Sequence, residues 1–285
     1  MKVENRALSF LIVALVYVVA TAVGVAVYCA LSFDAWLNLL IADIVATVVT
    51  FVFSLIFKNA SVYDPYWSVQ PIVICLAFAL GRELALVHIL PIVVVGLWGV
   101  RLTANWAYTF MGLTHQDWRY TMLAQKTGKF YPIINFVGIH LVPTLVVYGC
   151  TLPVVYVLLY ASELALLSAL GLVISVFAVT LQFFADNQMH AYRKNRTTPF
   201  IRVGLWKYSR HPNYLGEILM WWGVAIYSFA NLPWAWWLVV GSIANTLLFL
   251  VVSIPMADGR QSKKEGFIEY KRQTRALLPI YKKQG

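Results

Sequence analysis

The feature that most limits how this chain can fold is the apolar stretch at residues 7–31, which contains no charged residue. An α-helix needs about 20 consecutive apolar residues to cross a bilayer core. The stretch is longer than the hydrophobic region of a secretory signal and lacks a small-residue cleavage pattern, so we expect it to remain as a first span. The composition agrees, because 61% of the 285 residues are hydrophobic and 12% are charged. A soluble domain usually has about 25% charged residues.

Further apolar segments follow along the sequence, and no internal repeat or low-complexity linker separates them. We predict an all-α, polytopic membrane helical bundle of about eight transmembrane helices, or seven if the third and fourth segments are one. A single membrane domain over residues 1–285 is the simplest organisation. The predicted spans are 7–31, 36–57, 66–81, 84–104, 132–160, 164–185, 214–230 and 234–254.

The positive charges fit eight spans with both termini in the cytoplasm, in a bacterial inner membrane or the endoplasmic reticulum. Cytoplasmic loops are enriched in Lys and Arg, and this threading puts every Lys and Arg inside except Arg82 and Arg101. The net charge of +10 then reflects topology and contact with anionic membrane lipids. It gives no reason to propose a nucleic-acid partner, although a basic inner face also attracts a phosphorylated cofactor.

Cysteine and histidine usage gives no metal-binding pattern. The three cysteines lie inside apolar runs without CxxC spacing, and the histidines form no ligand cluster by spacing. We expect His140 to be a packing residue. Asp43 lies in the middle of the second span, where a carboxylate is a functional-site hypothesis by default; a hydrogen bond to a neighbouring Thr or Ser is the structural alternative.

The segment 181–196, LQFFADNQMHAYRKNR, carries polar residues at helical spacing. One face of a helix that continues the sixth span carries Gln182, Asp186, either Met189 or His190, and Arg193. The spacing fits a polar site at the end of this helix. A solvated helix end with an Asp186–His190 pair would also account for it.

The densest polar cluster lies in 204–223, GLWKYSRHPNYLGEILMWWG, just before an apolar helix. Pro212 suits a first helical position, so we expect the seventh span to begin at Pro212–Asn213 with free N–H groups and a positive dipole end suited to an anion. Glu217 lies one turn inside that span, where a carboxylate is costly unless it has a partner. Arg210 and His211 precede the helix.

These motifs resemble the steroid 5α-reductase superfamily, in its bacterial-type branch of membrane reductases. The resemblance rests on SRHPNYLGE at 209–217, on Asp186 and Arg193 upstream, and on FIEYKRQTRALLPIY at 267–281. Two further motifs match, D-x-x-W at Asp64 and Trp67 and the loop DWRY at 117–120. Isoprenylcysteine methyltransferases carry a similar Arg-His-Pro-Asn-Tyr motif, which in them holds S-adenosylmethionine.

The resemblance implies an NADPH-binding half at about 180–285. The cofactor-binding residues that it implies are Gln182, Asp186, Arg193, Arg210, His211, Asn213, Tyr214, Glu217 and Arg260. Gln182 stands where the family has Asn. The family's catalytic Glu falls near Asp64, and its catalytic Tyr falls near Trp98, which cannot act as an acid, so Tyr66 or Tyr63 is expected to take that role. A buried carboxyl that stays protonated can donate to a developing oxyanion.

We therefore expect an NADPH-dependent oxidoreductase that reduces a conjugated C=C bond of a steroid or other lipid, of the 3-oxo enone type. An S-adenosylmethionine-dependent methyltransferase is the alternative, but the Glu pair expected in its last helical segment is missing from PMADGRQ at 255–261. A non-catalytic lipid-binding or transport protein is a third reading, without the inverted repeats of many transporters. A lipid-soluble small molecule is the expected substrate.

Overall fold

A computed structural model describes residues 4–279, and this range folds into α-helices, short 3₁₀ and π segments and loops. The all-α prediction is confirmed for these residues. Extended pairing among them is limited to an isolated parallel bridge between Ser209 and Arg275.

Thirteen α-helices account for most of the described range. The first seven are α1 (Arg6–Ala30), α2 (Ala35–Phe57), α3 (Tyr66–Ala79), α4 (Leu86–Thr109), α5 (Trp118–Thr127), α6 (Tyr131–Ile134) and α7 (Val142–Tyr160). The others are α8 (Ser168–Lys194), α9 (Leu205–Tyr208), α10 (Pro212–Asn231), α11 (Val240–Leu248), α12 (Ile254–Gln261) and α13 (Phe267–Gln273). The π-helical turns Asn135–Leu141 and Phe249–Ser253 join α6 to α7 and α11 to α12, and the 3₁₀ segments are Ala60–Tyr63, Gly128–Phe130 and Pro233–Val239.

Six helical stretches within residues 4–279 are long and apolar enough to cross a membrane, which indicates an integral membrane protein. These stretches are Arg6–Ala30, Ala35–Phe57, Leu86–Thr109, Trp118–Tyr160, Ser168–Lys194 and Pro233–Gln261. The predicted total of eight spans is not confirmed. Helix α3 has 14 residues, which at 1.5 Å per residue is about 21 Å and shorter than a bilayer core of about 30 Å. Helix α10 has 20 residues, but its polar first turns make it less apolar than the six.

The described residues cluster into two compact units. Unit 1 is formed by those of Met1–Arg82 and Gly99–Leu152, and unit 2 by those of Glu83–Trp98 and Pro153–Gly285. Helices α4 and α7 each contribute residues to both units. The predicted cofactor-binding half, about 180–285, falls in unit 2, and the single-domain organisation stays a prediction.

In unit 1, the turn after α2 determines where the following polar residues lie. Lys58 ends α2 with a φ of 52°, a left-handed conformation that a non-glycine residue adopts at some cost. The N–H groups of Lys58 and Asn59 bond back to Leu55 and Ser54 of α2, at 3.2 and 2.9 Å. The chain then enters the buried 3₁₀ turn Ala60–Tyr63, which carries Tyr63 into the unit's interior.

In unit 2, α8 and α10 pack closely through small residues. A Cβ atom added to Gly171 of α8 would lie 2.5 Å from the Gly223 carbonyl oxygen and 2.6 Å from the Tyr227 nitrogen, both on α10. The Tyr227 hydroxyl donates to the Val87 carbonyl oxygen at 2.8 Å. This close approach brings the polar first turns of α10 against the last turns of α8.

Candidate functional site

The basic motif before α10 is held by a buried carboxylate on α12. Arg210 Nη2 donates to Asp258 Oδ2 at 2.8 Å, and His211 Nε2 lies 2.9 Å from Asp258 Oδ1. Lys271 Nζ approaches Asp258 Oδ2 at 3.4 Å. All three of Arg210, His211 and Asp258 are buried, so Arg210 has a protein carboxylate as its counter-ion and His211 has the same carboxylate as a hydrogen-bond partner.

The same motif is tied to the C-terminal segment through its backbone. The Arg210 and His211 N–H groups donate to the carbonyl oxygens of Arg275 and Ala276, each at 3.0 Å. The Arg210 guanidinium also donates to the Thr274 carbonyl oxygen. Helix α10 then begins at Pro212, as predicted. Arg210 and His211 therefore anchor the start of α10, and direct contact with a cofactor stays a prediction for both.

Glu217, the carboxylate one turn inside the apolar helix α10, accepts hydrogen bonds from neutral donors. Glu217 is 4% exposed. The indole N–H groups of Trp98 and Trp221 donate to its oxygens at 2.9 and 3.0 Å, and Gln182 Nε2 donates to Oε2 at 2.7 Å. Trp98, near which the resemblance places the family's catalytic Tyr, thus supports Glu217. These bonds stabilise a carboxylate inside an apolar helix.

The hydrogen bond to Glu217 fixes how the Gln182 amide is oriented. Its N–H group is used, and its Oε1 is buried with no hydrogen-bond partner among the described residues. Asn213 Oδ1, one helical turn before Glu217, is likewise buried with no hydrogen-bond partner among the described residues. Gln261 Oε1 on α12 is a third such acceptor. Buried polar atoms in native proteins are nearly always bonded to protein, water or a ligand, so this part of unit 2 can take a ligand rich in hydrogen-bond donors.

The end of α8 and the loop after α12 form a cationic cluster, comprising Arg193, Arg196, Arg260 and Lys264. The pKa of the Lys264 ammonium is lowered first by burial and then by the positive charges of Arg196, Arg260 and Arg193. Such mutual repulsion among cations is relieved by a bound anion. Two predicted cofactor residues, Arg193 and Arg260, therefore both lie close enough to Lys264 for their charges to act on it.

The other two predicted residues of this half lie nearby in the fold. Asp186 is a half-buried residue on α8, one turn after Gln182. The Tyr214 ring stacks on the His211 ring, with centroids 5.1 Å apart and planes 7° apart, and it also contacts Phe249. Both positions are compatible with a role at the site, which stays a prediction.

In unit 1, the predicted catalytic residues Asp64 and Tyr66 line different cavities. Asp64 accepts a 2.6 Å hydrogen bond from the Tyr120 hydroxyl. Burial raises the pKa of Asp64 to about 6, against the opposing effects of Arg119 and Tyr120. Its cavity of about 420 Å³ also contains Asp117 and the two indole rings of Trp67 and Trp106. We call this the polar cavity.

Tyr66 lines a second, mostly apolar cavity of about 470 Å³ between α1, α2 and α3. Its hydroxyl donates to Asp43 Oδ1 at 3.1 Å, and Gln70 Nε2 donates to Asp43 Oδ2. Gln70 Oε1 is buried without a hydrogen-bond partner in the described range. The Asp43–Tyr66–Gln70 group thus places hydrogen-bonding side chains in this mostly apolar cavity.

Sequence reasoning missed several of these partners. Asp258, an isolated acid in a basic segment, is the counter-ion of Arg210, and its spacing of 48 residues is not a readable pattern. Asp43 was recognised as unusual, but its partners are Tyr66 and Gln70 rather than Thr or Ser. Among residues 4–279, no group of His, Cys, Asp and Glu could hold a metal ion.

Comparison with known proteins shows the family. An uncharacterized protein of Schizosaccharomyces pombe is 29% identical over 193 residues, a match that covers 58% of this chain and 56% of the relative. The chain thus spans about half the length of that relative. No solved structure matches. The model of a family described as "Protein of unknown function (DUF1295)" matches residues 50–274. Because this match covers most of the chain, the protein belongs to the DUF1295 family.

Proposed function

We propose that the protein is an integral-membrane oxidoreductase that reduces a conjugated C=C bond of a steroid or other lipid, with NADPH as hydride donor. The DUF1295 family is associated with steroid 5α-reductase-like proteins. The motifs of this chain resemble the same superfamily. The argument below rests on the residues of this chain.

The observation that carries the proposal is the cationic cluster of Arg193, Arg196, Arg260 and Lys264. NADPH carries a pyrophosphate and a 2′-phosphate, and arginine is the side chain best suited to bind phosphate oxygens. S-adenosylmethionine has no phosphate group and carries a positive sulfonium. A concentration of cations therefore favours the phosphorylated dinucleotide over the methyl donor.

The unpaired amide oxygens of Gln182 and Asn213 support the same ligand class. The adenine amino group, the ribose hydroxyls and the nicotinamide carboxamide of NADPH all offer hydrogen-bond donors. Each buried acceptor left unpaired costs about 1–3 kcal/mol, so a ligand that satisfies it gains affinity. Glu217 is a positioning residue in this proposal, because it holds the Gln182 amide so that the buried Oε1 remains available as an acceptor for the ligand.

The apolar cavity of unit 1 suits the lipid. Its walls are mostly apolar side chains of α1, α2 and α3, and Tyr66 is among the polar residues that line it. NADPH, when bound, supplies a hydride for one carbon of the double bond. Negative charge then develops on the substrate's carbonyl oxygen, where a positioned hydroxyl donor is worth roughly 3–4 kcal/mol of barrier. The Tyr66 hydroxyl has one proton, which it donates to Asp43 Oδ1 in this structure, so in this proposal it turns from Asp43 to the substrate oxygen when the lipid binds.

The membrane arrangement belongs to the proposal as well. We propose eight spans with both termini in the cytoplasm, so that the cationic cluster faces the compartment that contains the cofactor. The termini themselves lie outside the described residues. The protein contacts membrane lipids, and the membrane is a bacterial inner membrane or that of the endoplasmic reticulum.

Thermal unfolding of the purified protein with NADPH, NADH or S-adenosylmethionine tests the cofactor. A ligand at about 100 times its Kd stabilises the folded state by about 2.7 kcal/mol. We expect NADPH to raise the melting temperature, NADH to raise it less, and S-adenosylmethionine to leave it unchanged. A shift with S-adenosylmethionine and none with NADPH would overturn the proposal in favour of the methyltransferase.

Variants then locate the site. We expect Arg193→Ala, Arg260→Ala and Asn213→Ala each to weaken NADPH binding while the unliganded melting temperature stays close to that of the wild type. Lys126→Ala is the matched control, because it removes an exposed cation of α5 in unit 1. If all three variants bind NADPH like the control, the cluster is not the cofactor site.

A further inference from the structure

One face of α3 lines the apolar cavity of unit 1. The residues that this helix contributes recur every three or four positions, which is the spacing of one helical face. They are Tyr66, Val69, Gln70, Val73, Ile74, Ala77 and Phe78. Beyond Tyr66, this face is apolar except for Gln70. A glutamine amide therefore stands on a wall that otherwise suits hydrocarbon.

The neighbouring carboxylate fixes how the Gln70 amide is oriented. Gln70 Nε2 donates to Asp43 Oδ2, and the Tyr66 hydroxyl donates to Asp43 Oδ1 at 3.1 Å. The Gln70 carbonyl oxygen, Oε1, is buried and has no hydrogen-bond partner among residues 4–279. Gln70 and Asp43 are only 6% and 5% exposed, so bulk water does not supply the missing donor.

Two tyrosines that line the same cavity have already committed their hydroxyl protons. Tyr66 donates to Asp43, and the Tyr17 hydroxyl donates to the Val62 carbonyl oxygen at 2.7 Å. Neither proton is directed to Gln70. The open hydrogen-bonding position of the cavity is therefore an acceptor, and a ligand that fills it has to bring a donor.

A single buried water molecule would satisfy Gln70 poorly. An ordered internal water makes about three hydrogen bonds to polar groups, whereas the Asp43 carboxylate and the Tyr66 hydroxyl are already bonded to each other. The cavity has a volume of about 470 Å³ and is lined mostly by apolar side chains. A ligand with an apolar body and a hydrogen-bond donor matches both features.

The donor that fits this site best is neutral. A hydroxyl group enters an apolar environment at a modest cost once it is hydrogen-bonded, whereas a charged ammonium group loses far more hydration. Asp43, the acidic residue of the lining, could pair with such a cation. Its two oxygens, however, already accept from the neutral groups of Tyr66 and Gln70. A hydroxyl group is thus favoured over an amine.

We propose that the ligand of the apolar cavity is a lipid with a hydroxyl group, and that Gln70 is the specificity-determining residue whose Oε1 accepts a hydrogen bond from it. This inference rests on the proposed function only in naming the ligand as the reductase's substrate. The substrate then carries this hydroxyl in addition to the enone carbonyl that Tyr66 contacts. When Tyr66 turns to that carbonyl, Asp43 Oδ1 loses its donor and becomes a second acceptor for the ligand.

The test measures equilibrium binding of three saturated steroids to the full-length protein in detergent, without NADPH. The probes are 5α-androstan-3β-ol, its 3-methyl ether and 5α-androstan-3-one. They share one apolar body, and the alcohol alone has a hydrogen-bond donor. We expect the alcohol to bind about 10-fold more tightly than either of the others, the scale of one net hydrogen bond. This comparison uses the wild type and does not depend on whether a variant folds.

Gln70→Leu removes the acceptor at similar volume. We expect it to weaken binding of the alcohol about 10-fold and to leave the ether and the ketone close to their wild-type affinities. Val73→Ala is the matched control, because Val73 lines the same cavity about one turn further along α3 with an apolar side chain. It should weaken all three steroids alike and preserve the preference for the alcohol. Melting temperatures show whether both variants fold.

The outcomes separate this inference from the proposed function. Equal binding of the three steroids, or no saturable binding of the alcohol, refutes hydroxyl recognition and leaves the reductase to the NADPH experiment. A preference for the ketone also refutes it, since Gln70 would then present its N–H group to the cavity. A preference for the alcohol that survives in Gln70→Leu refutes the role of Gln70. If the preference depends on Gln70 but NADPH does not bind, hydroxyl recognition stands and the reductase fails.

Discussion

Asp258 joins three basic side chains of unit 2 at one buried carboxylate. It neutralises Arg210, accepts from His211 and approaches Lys271, and it is 3% exposed. A buried charge without its partner is strongly destabilising, whereas an exposed ion pair contributes little. The start of α10 and the segment after α13 should therefore both depend on this one carboxylate.

We expect Asp258→Asn to lower the free energy of unfolding by about 3 kcal/mol, because Arg210 then stays buried without a counter-ion. Glu269→Gln is the control, since its pair with Arg272 is 3.8 Å long and largely exposed. It should change the free energy of unfolding by less than about 0.5 kcal/mol. Thermal and denaturant unfolding in detergent measure both, and equal effects would contradict the central role of Asp258.

Asp64 should make stability depend on pH. Its folded pKa of about 6 lies above the ordinary value of 3.8 because burial disfavours the charged form. The folded state therefore binds this proton more tightly than the unfolded state, and the stabilisation is complete below the unfolded pKa. We expect it to be lost as the pH rises from about 4 through about 6. Melting temperatures over this range, compared with those of Asp64→Asn, check the sign.

The residues of the candidate sites were predictable from sequence to different extents. Glu217 was recognisable as a carboxylate that needed a partner, because it stands within an apolar run. Its donors Trp98 and Trp221 could not be recognised from the sequence. An indole N–H produces no periodic sequence pattern, and Trp98 lies 119 residues from Glu217. Arg210 and His211 stand in a recognisable motif, but no sequence pattern indicated that Asp258 is their buried partner.

Among the helices, the contact between α8 and α10 is the tightest that the glycines of the described range reveal. An added Cβ at Gly223 would come within 2.6 Å of the Gly171 carbonyl oxygen and 2.8 Å of the Ser175 nitrogen. Both obstacles are backbone atoms, which cannot rotate away. Small residues at such positions allow membrane helices to approach closely.

A pair of glycine substitutions should therefore give opposite results. Gly223→Ala forces α8 and α10 apart, and we expect it to lower the free energy of unfolding by about 1–3 kcal/mol. Gly259→Ala in α12 meets no atom within 4 Å and should raise that free energy by up to about 1 kcal/mol through helix propensity. Unfolding measurements on both variants check this, and a stable Gly223→Ala would mean that the helix pair is loosely packed.

Helix existence was largely predictable, and helix irregularity was not. Six of the eight predicted spans correspond to the helices that are apolar and long enough, because a membrane span needs a long uniform run. No sequence pattern predicted the π-helical turns at Asn135–Leu141 and Phe249–Ser253, since such turns arise from how side chains pack across helices. The short helix α5 was missed because its polar sequence has no apolar run.

For the whole molecule, the number of membrane crossings depends on α3. With eight spans, α3 crosses the bilayer, and the loops at Asp34 and Arg82 lie on the same side. If α3 does not cross, these two loops lie on opposite sides. Helix α3, about 21 Å long, could cross only where the bilayer thins or neighbouring residues extend it.

We expect single cysteines at Asp34 and Arg82 to react with a membrane-impermeant maleimide from the same side. Both positions are exposed, and the background should have Cys29, Cys75 and Cys150 replaced. A cysteine at Lys126 should react from the other side and serves as the control. Labelling of positions 34 and 82 from opposite sides would establish that α3 does not span.

The glycine contact between α8 and α10 also has a consequence for how sequences in this family diverge. Where backbones touch, as at Gly171 and Gly223, a larger side chain must be matched by movement of a whole helix, so such positions should change slowly. The outward residues of α8, such as Val173 and Phe177, are exposed and apolar, and one apolar side chain can replace another there. Relatives only 29% identical, such as the yeast protein, can therefore drift over most of their outer surface and still keep the helix pair that carries the candidate cofactor site.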